Sequence, residues 1–213
     1  MPHTLWIVPD RDFTVGFDLD MTLADTRRGI GAVLDALSVE SGVHIDSALI
    51  VSRLGPPLAI ELANWFPLED VPAMVTRFRE LYPAIAVPAT VAMLGAEAAL
   101  GAVRAQGGRV VVVTAKNERD ARRTISHLGL PVDHIAGSLW AAEKGVALKE
   151  HGAAAYVGDH LGDIDAARAA AAFSVGVATG PYDLAALRAY GADAVLPDLL
   201  AFPDWLADHR SAA

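Results

Sequence analysis

Carboxylates stand at the ends of two apolar segments of the sequence. Asp18 and Asp20 follow residues 13–17, and Asp159 follows residues 154–158. If these segments are parallel strands, their carboxyl ends are where such a sheet binds ligands. Two carboxylates there can divide one reaction, because one attacks phosphorus while the other protonates the leaving group. Together the three offer the hard oxygen ligands that Mg²⁺ takes beside a phosphate, so the pattern predicts magnesium-assisted phosphoryl transfer.

The other groups that such a reaction needs occur later in the chain. Thr114 ends the β-branched run 109–114 and offers a hydroxyl donor to a phosphoryl oxygen, next to backbone N–H groups of the following loop. Lys144, one of only three lysines, offers a fixed positive charge at the start of a predicted helix. Asp163 adds a fourth carboxylate near Asp159. Since an Asp-x-Asp pair alone is more often a pair of loop-capping acids, the hypothesis rests on the whole set.

Strands and helices alternate in the second half of the chain. Short β-branched runs are typical of buried parallel strands, and stretches with apolar residues at helical spacing lie between them. The predicted strands cover residues 13–17, 109–114, 133–136, 154–158 and 173–178, with a short strand near 194. The predicted helices cover residues 96–106, 118–128, 144–151, 164–171 and 182–190. This alternation predicts an α/β protein with a Rossmann-like parallel sheet that is covered on both faces.

Residues from about 32 to 87 differ from the rest, because their apolar pattern is helical throughout. A glycine–proline–proline sequence at 55–57 breaks the chain between the helices of this block. About four helices and no strand are predicted there. One strand precedes the block and the other strands follow it. We therefore predict an α/β core domain of residues 1–26 and 88–213, interrupted by an all-α insertion of residues 27–87.

Composition and charge limit the classes of function. The chain has 213 residues, a formal net charge of −9 and no basic run, which argues against nucleic acid or an anionic membrane as a partner. It has no cysteine, which excludes disulfides, thiolate catalysis and cysteine metal sites. No apolar run approaches the roughly 20 residues of a membrane span, and residues 5–8 are too few for the core of a signal peptide. We expect a cytoplasmic protein, monomeric or homodimeric, whose partner is a small phosphorylated metabolite.

Four segments occur in the order and at the approximate spacing of the motifs of a known family. They are Asp18-Leu19-Asp20-Met21-Thr22-Leu23, Val111-Val112-Val113-Thr114-Ala115-Lys116, the single residue Lys144, and Val157-Gly158-Asp159-His160-Leu161-Gly162-Asp163-Ile164. Together they resemble the haloacid dehalogenase superfamily of phosphohydrolases. Over nearly the whole chain the sequence is most similar to the phosphoglycolate-phosphatase-like branch, in which a helical cap follows the first motif. The resemblance implies that residues 27–87 form this cap.

The resemblance also implies catalytic roles. Asp18 would form an aspartyl-phosphate, and Asp20 would act first as general acid and then as base for the hydrolytic water. Thr114 and Lys144 would hold the phosphoryl group, with Ala115 beside them in the substrate site. The resemblance therefore implies a phosphatase that works through a covalent intermediate.

Mg²⁺ is the cofactor that the resemblance implies. Its ligands would be Asp18, the backbone carbonyl of Asp20, and Asp159. Asp163 would join the same group, either through water or by orienting Lys144.

Two further positions bear on the substrate site. Gly55 lies in the segment 54–58, which is similar to the cap loop that faces the active site in phosphoglycolate-phosphatase-like proteins. A simple turn between two helices is an equally good interpretation of that segment. Met21 stands where the family often has a glycine, which eases a tight turn, so an altered loop is expected at Met21.

Several activities share the fold of this family. Asp20 argues against a dehalogenase, because a halide leaving group needs no proton. A phosphonate-cleaving relative needs a cap lysine, and no lysine precedes Lys116. The prediction is therefore a magnesium-dependent phosphatase that acts on a phosphoglycolate-like or sugar phosphate. A phosphomutase like β-phosphoglucomutase stays open, because it uses the same aspartyl-phosphate, and a weakly active or non-catalytic binding protein is a third alternative.

Overall fold

The chain folds around one six-stranded parallel sheet. The computed structural model describes residues 13–211. The strands are β1 Thr14–Phe17, β2 Ala24–Asp25, β3 Val91–Ala92, β4 Arg109–Val113, β5 His134–Ala136, β6 Ala153–Gly158, β7 Phe173–Val177 and β8 Ala194–Leu196. The main sheet has the order β5-β4-β1-β6-β7-β8, and each of its pairs is parallel. The predicted α/β class and the parallel sheet are confirmed.

Helices fill the connections between the strands. They are α1 Arg27–Ser41, α2 Ser47–Val51, α3 Leu58–Leu62, α4 Val71–Ile85, α5 Ala96–Ala105, α6 Glu118–Leu128, α7 Lys144–Glu150, α8 Leu161–Ala170, α9 Leu184–Tyr190 and α10 Phe202–Ser211. The bounds of α6 are those predicted, since Asn117 caps its first turn and Gly129, with φ 64°, ends it in the left-handed conformation.

The prediction was wrong at the start of α8. This helix begins at Leu161 and not near residue 164, because the side chain of His160 accepts a hydrogen bond from the backbone N–H of Gly162 (3.0 Å) and caps the first turn. Histidine is not a common N-cap residue, so the sequence carried little signal for this helix start.

Two short features are absent from the sequence prediction. Helix α10 buries one face through Phe202 and Leu206, which are both 0% exposed.

Strands β2 and β3 form an antiparallel pair in which Asp25 lies opposite Val91. Each of these strands has two residues, too few for a periodic pattern. The pair joins the chain segments that enter and leave the helical block.

Helices α1–α4 enclose an apolar cluster of their own. Its most buried members include Val33, Leu34, Leu62 and Ala86, which are all 0% exposed. The cluster contains no strand residue, and the main sheet packs against two other clusters. The predicted all-helical insertion is therefore observed and is called the cap (residues 27–87) below. The division into domains at 26/27 and 87/88 stays a prediction.

Two expectations about membranes and targeting concern different parts of the chain. Among the helices described, none has both the length and the apolar composition that a bilayer crossing requires. Residues 5–8, which were too few for a signal-peptide core, lie outside the described residues, as does the rest of segment 1–12.

Strand β1 lies between β4 and β6, and this order sets the position of the site. Asp18 follows β1, Thr114 follows β4, and Asp159 follows β6. The backbone N–H of Asp18 donates to the carbonyl of Val157 (2.8 Å), which extends the β1–β6 ladder up to Asp18. Because the carboxyl ends of adjacent parallel strands share one edge, the three polar residues lie together there.

Candidate active site

A buried group of carboxylates lies at the carboxyl edge of the sheet. Asp18, Asp159 and Asp163 each have one oxygen within 4.8 Å of the others, and all three are buried. The Nζ of Lys144 donates hydrogen bonds to Oδ1 of Asp18 (2.9 Å) and to Oδ1 of Asp163 (2.7 Å), and Lys144 is 1% exposed. The contact with Asp163 is the one expected if Asp163 orients the lysine. One ammonium group faces three carboxylates, so the group has an excess of negative charge.

Burial and repulsion set the pKa values in this group. Burial raises the pKa of Asp18 to about 7, against the lowering effect of Lys144 and with further increases from the charges of Asp163 and Asp20. The pKa of Asp159 is also raised well above its usual range, first by burial and then by neighbouring carboxylates. Burial by itself would lower the pKa of Lys144, but the carboxylates that it contacts raise it. The residues fit a divalent cation, because its charge would balance these carboxylates and their oxygens are suitable ligands.

Neighbouring residues hold Asp159 and Asp163 in position. The hydroxyl of Thr22 donates to Oδ1 of Asp159 (2.8 Å), and the backbone N–H of His160 donates to Oδ2 of Asp163 (3.0 Å). Gly180 passes so close to Asp159 that a Cβ at this position would overlap the carboxylate. A side chain at position 180 would therefore displace a candidate metal ligand.

Thr114 is suited to contact a phosphoryl oxygen. It is 1% exposed, and its Oγ1 accepts a hydrogen bond from the backbone N–H of Lys116 (3.3 Å), which leaves its own proton free to be donated. Within residues 13–211, the backbone N–H of Ala115 has no hydrogen-bond acceptor. Both donors are at the carboxyl end of β4, where an anion can be stabilised.

Asp20 lies outside the buried carboxylate group. Its Oδ1 accepts a hydrogen bond from Thr26 (2.6 Å) and forms an ion pair with the Nζ of Lys116 (2.9 Å). The side chain of Asp20 is therefore not part of the carboxylate group that could bind a metal ion. Only the backbone carbonyl of Asp20 stays a predicted metal ligand. Thr26 directly precedes α1, so the carboxylate of Asp20 contacts the start of the cap.

Lys116 is a site residue that the sequence reasoning missed. Its ammonium lies 4.9 Å from the centre of the Tyr82 ring, and the hydroxyl group of Tyr82 is 3.2 Å from Oγ1 of Thr124. Lys116 thus contacts both Asp20 in the core and Tyr82 in the cap. The available signal was its place two residues after Thr114 in a chain with three lysines.

Met21 adopts a backbone conformation that glycine reaches without strain and other residues rarely use. Its φ is 62°, in the left-handed region. Its N–H donates to the carbonyl of Ala24 (2.8 Å), and its carbonyl accepts a hydrogen bond from Thr179 (2.6 Å). The side chain is buried at 2% exposure. These bonds and the burial offset the strain, so the loop keeps the tight turn that was expected to be altered.

A cavity of about 220 Å³ lies between the cap and the carboxyl edge of the sheet. The predicted site residues that line it are Asp18, Asp20, Gly55, Thr114 and Ala115. Lys144, Asp159 and Asp163 are buried beside Asp18 and do not line it. Gly55 comes so close to His160 that a Cβ there would lie 2.6 Å from the ring carbon Cδ2. The cap loop that contains Gly55 therefore contacts the core beside the cavity.

Several solved structures have this fold, and three are representative. A predicted phosphatase from Clostridium acetobutylicum has a TM-score of 0.80 and 22% identity, over 92% of this chain and 98% of its own. A predicted phosphoglycolate phosphatase from Haemophilus somnus has a TM-score of 0.76 and 17% identity, over 91% and 97%. A protein named as a β-phosphoglucomutase from Thermotoga maritima has a TM-score of 0.69 and 18% identity, over 92% and 99%. At these identities the likeness establishes the fold alone.

Sequence comparison identifies the family. No curated protein sequence matches the chain significantly. The family model of haloacid dehalogenase-like hydrolases matches residues 15–177, a range that includes all four predicted motifs. The chain therefore belongs to the haloacid dehalogenase-like hydrolases.

Proposed function

We propose that this hydrolase is a magnesium-dependent phosphatase that acts on a small phosphorylated metabolite. The observation that carries the proposal is the buried group of Asp18, Asp159 and Asp163 with Lys144, at the carboxyl edge of the sheet. In a family of hydrolases, such a group beside a cavity supplies a nucleophile, a cation site and a fixed positive charge.

Asp18 is the proposed nucleophile. Lys144 binds Oδ1, and among the residues described Oδ2 of Asp18 has no hydrogen-bond donor. Since Asp18 lines the cavity, Oδ2 is available to attack phosphorus. Its lone pair forms the new P–O bond while the ester P–O bond breaks. The product of this step is an aspartyl-phosphate and the departing alcohol.

Asp20 is the proposed general acid and base. It lines the cavity two residues beyond Asp18, so a carboxyl proton can pass to the leaving oxygen as the ester bond breaks. The resulting carboxylate then takes a proton from the water that attacks the phosphorus of the aspartyl-phosphate. This second step regenerates the free carboxylate of Asp18 and releases phosphate.

Mg²⁺ is the proposed cofactor, held by Asp18, Asp159 and Asp163 together with the backbone carbonyl of Asp20. When bound it would neutralise charge on the phosphoryl oxygens. Thr114, the N–H of Ala115 and Lys144 are proposed to stabilise the same oxygens. The predicted cytoplasmic location and the choice between monomer and homodimer are also proposals.

A phosphomutase is the second candidate, favoured by the shared fold of the protein named as a β-phosphoglucomutase. It differs in its product, because it returns the phosphoryl group to the sugar. We expect free phosphate and no isomerised sugar phosphate.

The direct test uses purified protein, an aryl phosphate such as phenyl phosphate, and defined Mg²⁺. We expect phosphate release that stops on thorough chelation and resumes when Mg²⁺ is restored. Asp208→Asn, which changes an exposed carboxylate in α10, is a matched control for Asp18→Asn and should keep full activity. Release that persists without a divalent cation would contradict the proposal, and isomerisation of a sugar phosphate without net phosphate release would favour the mutase.

A further inference from the structure

The wall that the cap contributes to the cavity is mainly apolar. Ile30, Ile50, Leu54, Leu58 and Phe78 all line it. No serine, threonine, asparagine or glutamine of the cap is among the lining residues described. The hydroxyl groups of a polyol would lose water against this wall without gaining hydrogen bonds, which is unfavourable.

Three polar side chains interrupt the apolar wall, and two of them already have partners. Oε2 of Glu61 accepts a hydrogen bond from Arg53 (2.7 Å), and the hydroxyl group of Tyr82 is 3.2 Å from that of Thr124. The third is Arg79, whose guanidinium has neither a hydrogen bond nor an ion pair among residues 13–211. Arg79 is therefore the cap cation left to bind a group inside the cavity.

The charged groups on the core side of the cavity are mostly paired with each other. Asp20 pairs with Lys116, and Asp120 pairs with Arg123 (2.8 Å). Glu143 accepts a hydrogen bond from a backbone N–H (3.3 Å). The two ion pairs each cancel one carboxylate charge that would otherwise oppose a second anion beside Arg79, whereas Glu143 keeps its charge.

From this arrangement we infer the substrate class, and the inference rests on the proposed function. The cavity selects phosphate monoesters whose leaving group has a compact apolar body and carries a second anionic group, which pairs with the guanidinium of Arg79. The phosphoryl group lies at Asp18, and the apolar body lies against the cap wall. A cavity of about 220 Å³ suits a single ring or a short carbon chain, since a cavity of about 150 Å³ holds benzene.

Two phosphate esters of equal shape test the anionic part of this inference. The probes are 4-carboxyphenyl phosphate and its neutral carboxamide analogue. We expect kcat/KM to favour the acid by about fivefold, which corresponds to about 1 kcal/mol and is the upper end for an exposed ion pair. The preference should shrink as salt is added, because Arg79 is exposed.

Substitutions in α4 distinguish the contribution of Arg79 from the effect of removing any positive charge from this helix. In Arg79→Gln the ratio of acid to amide should fall to about one, and Arg79→Lys should retain part of the preference. Arg77→Gln is the matched control, because Arg77 pairs with Glu40 and Glu80 and does not line the cavity. It should leave both the ratio and the turnover unchanged.

The apolar part is tested with glucose 6-phosphate, whose kcat/KM should lie below that of cyclohexylmethyl phosphate, which has the same kind of leaving group on an apolar six-membered ring. Equal use of acid and amide, a ratio that Arg79→Gln does not change, or a preference for the sugar phosphate would each overturn the inference. Calorimetry on Asp18→Asn measures the dissociation constants of the acid and the amide, and their ratio gives the selectivity of binding without turnover. Binding selectivity without turnover in the wild type would refute the phosphatase and support the inference, whereas turnover without selectivity would do the reverse.

Discussion

Replacing Asp18 with asparagine removes one negative charge from the buried carboxylate group and keeps the size of the side chain. Asparagine still offers an oxygen to Lys144, which donates to Oδ1 of Asp18 at 2.9 Å. The variant should lose its nucleophile and gain stability when no metal is bound, because three buried carboxylates then become two.

The size of this gain follows from the pKa of Asp18. Burial raises it from 3.8 to about 7. At roughly 1.4 kcal/mol per pH unit, ionised Asp18 lowers the free energy of unfolding by an amount on the order of 4 kcal/mol. The folded-state pKa is the higher one, so the wild type loses this stability as pH rises from about 4 to about 7. Asp18→Asn should therefore be the more stable protein at pH 8, with little difference at pH 4.

The assay is urea unfolding of both proteins in chelator at pH 4 and at pH 8. Addition of Mg²⁺ at pH 8 should stabilise the wild type more than Asp18→Asn, because ligand binding to the folded state adds stability by mass action. Asp208→Asn, in the exposed control position, should follow the wild type throughout.

Two results would refute this reasoning. One is an Asp18→Asn variant that is less stable than the wild type in chelator at pH 8. The other is a stability difference of the same size at pH 4 and pH 8, because the cause would then not be the charge of Asp18.

Three more substitutions test the site. Gly180→Ala should raise the Mg²⁺ concentration for half-maximal activity by about tenfold, because a Cβ would overlap Asp159; Gly101→Ala, whose Cβ has open space in α5, should leave it unchanged, and equal effects would contradict the account. Lys116→Met should lower kcat by about tenfold with a smaller change in KM, because Lys116 holds the Asp20 side chain in position at the cavity; a change confined to KM would assign Lys116 to substrate binding instead. Met21→Gly should lower the free energy of unfolding by about 2 kcal/mol, since the buried side chain contributes more than the backbone strain costs; a more stable variant in urea unfolding would show that the strain is larger.

The sequence predicted the features that depend on local pattern. The β-branched run before Thr114 and the apolar segment before Asp18 identified two central strands, and the sheet edge followed from their parallel order. The capping residue Asn117 and the glycine after α6 made that helix predictable to the residue. In each case the signal lies within a few positions of the element that it specifies.

Contacts between distant parts of the chain were not predictable in the same way. The ion pair of Lys116 with Asp20 and the ring of Tyr82 over the same lysine depend on how the cap packs on the core. The close approach of Gly55 to His160 has the same origin. No spacing rule links positions so far apart in sequence, so these contacts required the three-dimensional structure.

The identity of the residue that becomes phosphorylated tests the central claim most directly. Wild-type protein with Mg²⁺ is mixed rapidly with phenyl phosphate, quenched in acid and digested. The masses of its peptides are measured by mass spectrometry and compared with those from Asp18→Asn treated in the same way. The account predicts one added phosphoryl group on the peptide that contains Asp18, and neither adduct nor phosphate release in Asp18→Asn. A phosphoryl group on another residue, or phosphate release by Asp18→Asn at the wild-type rate, would contradict it.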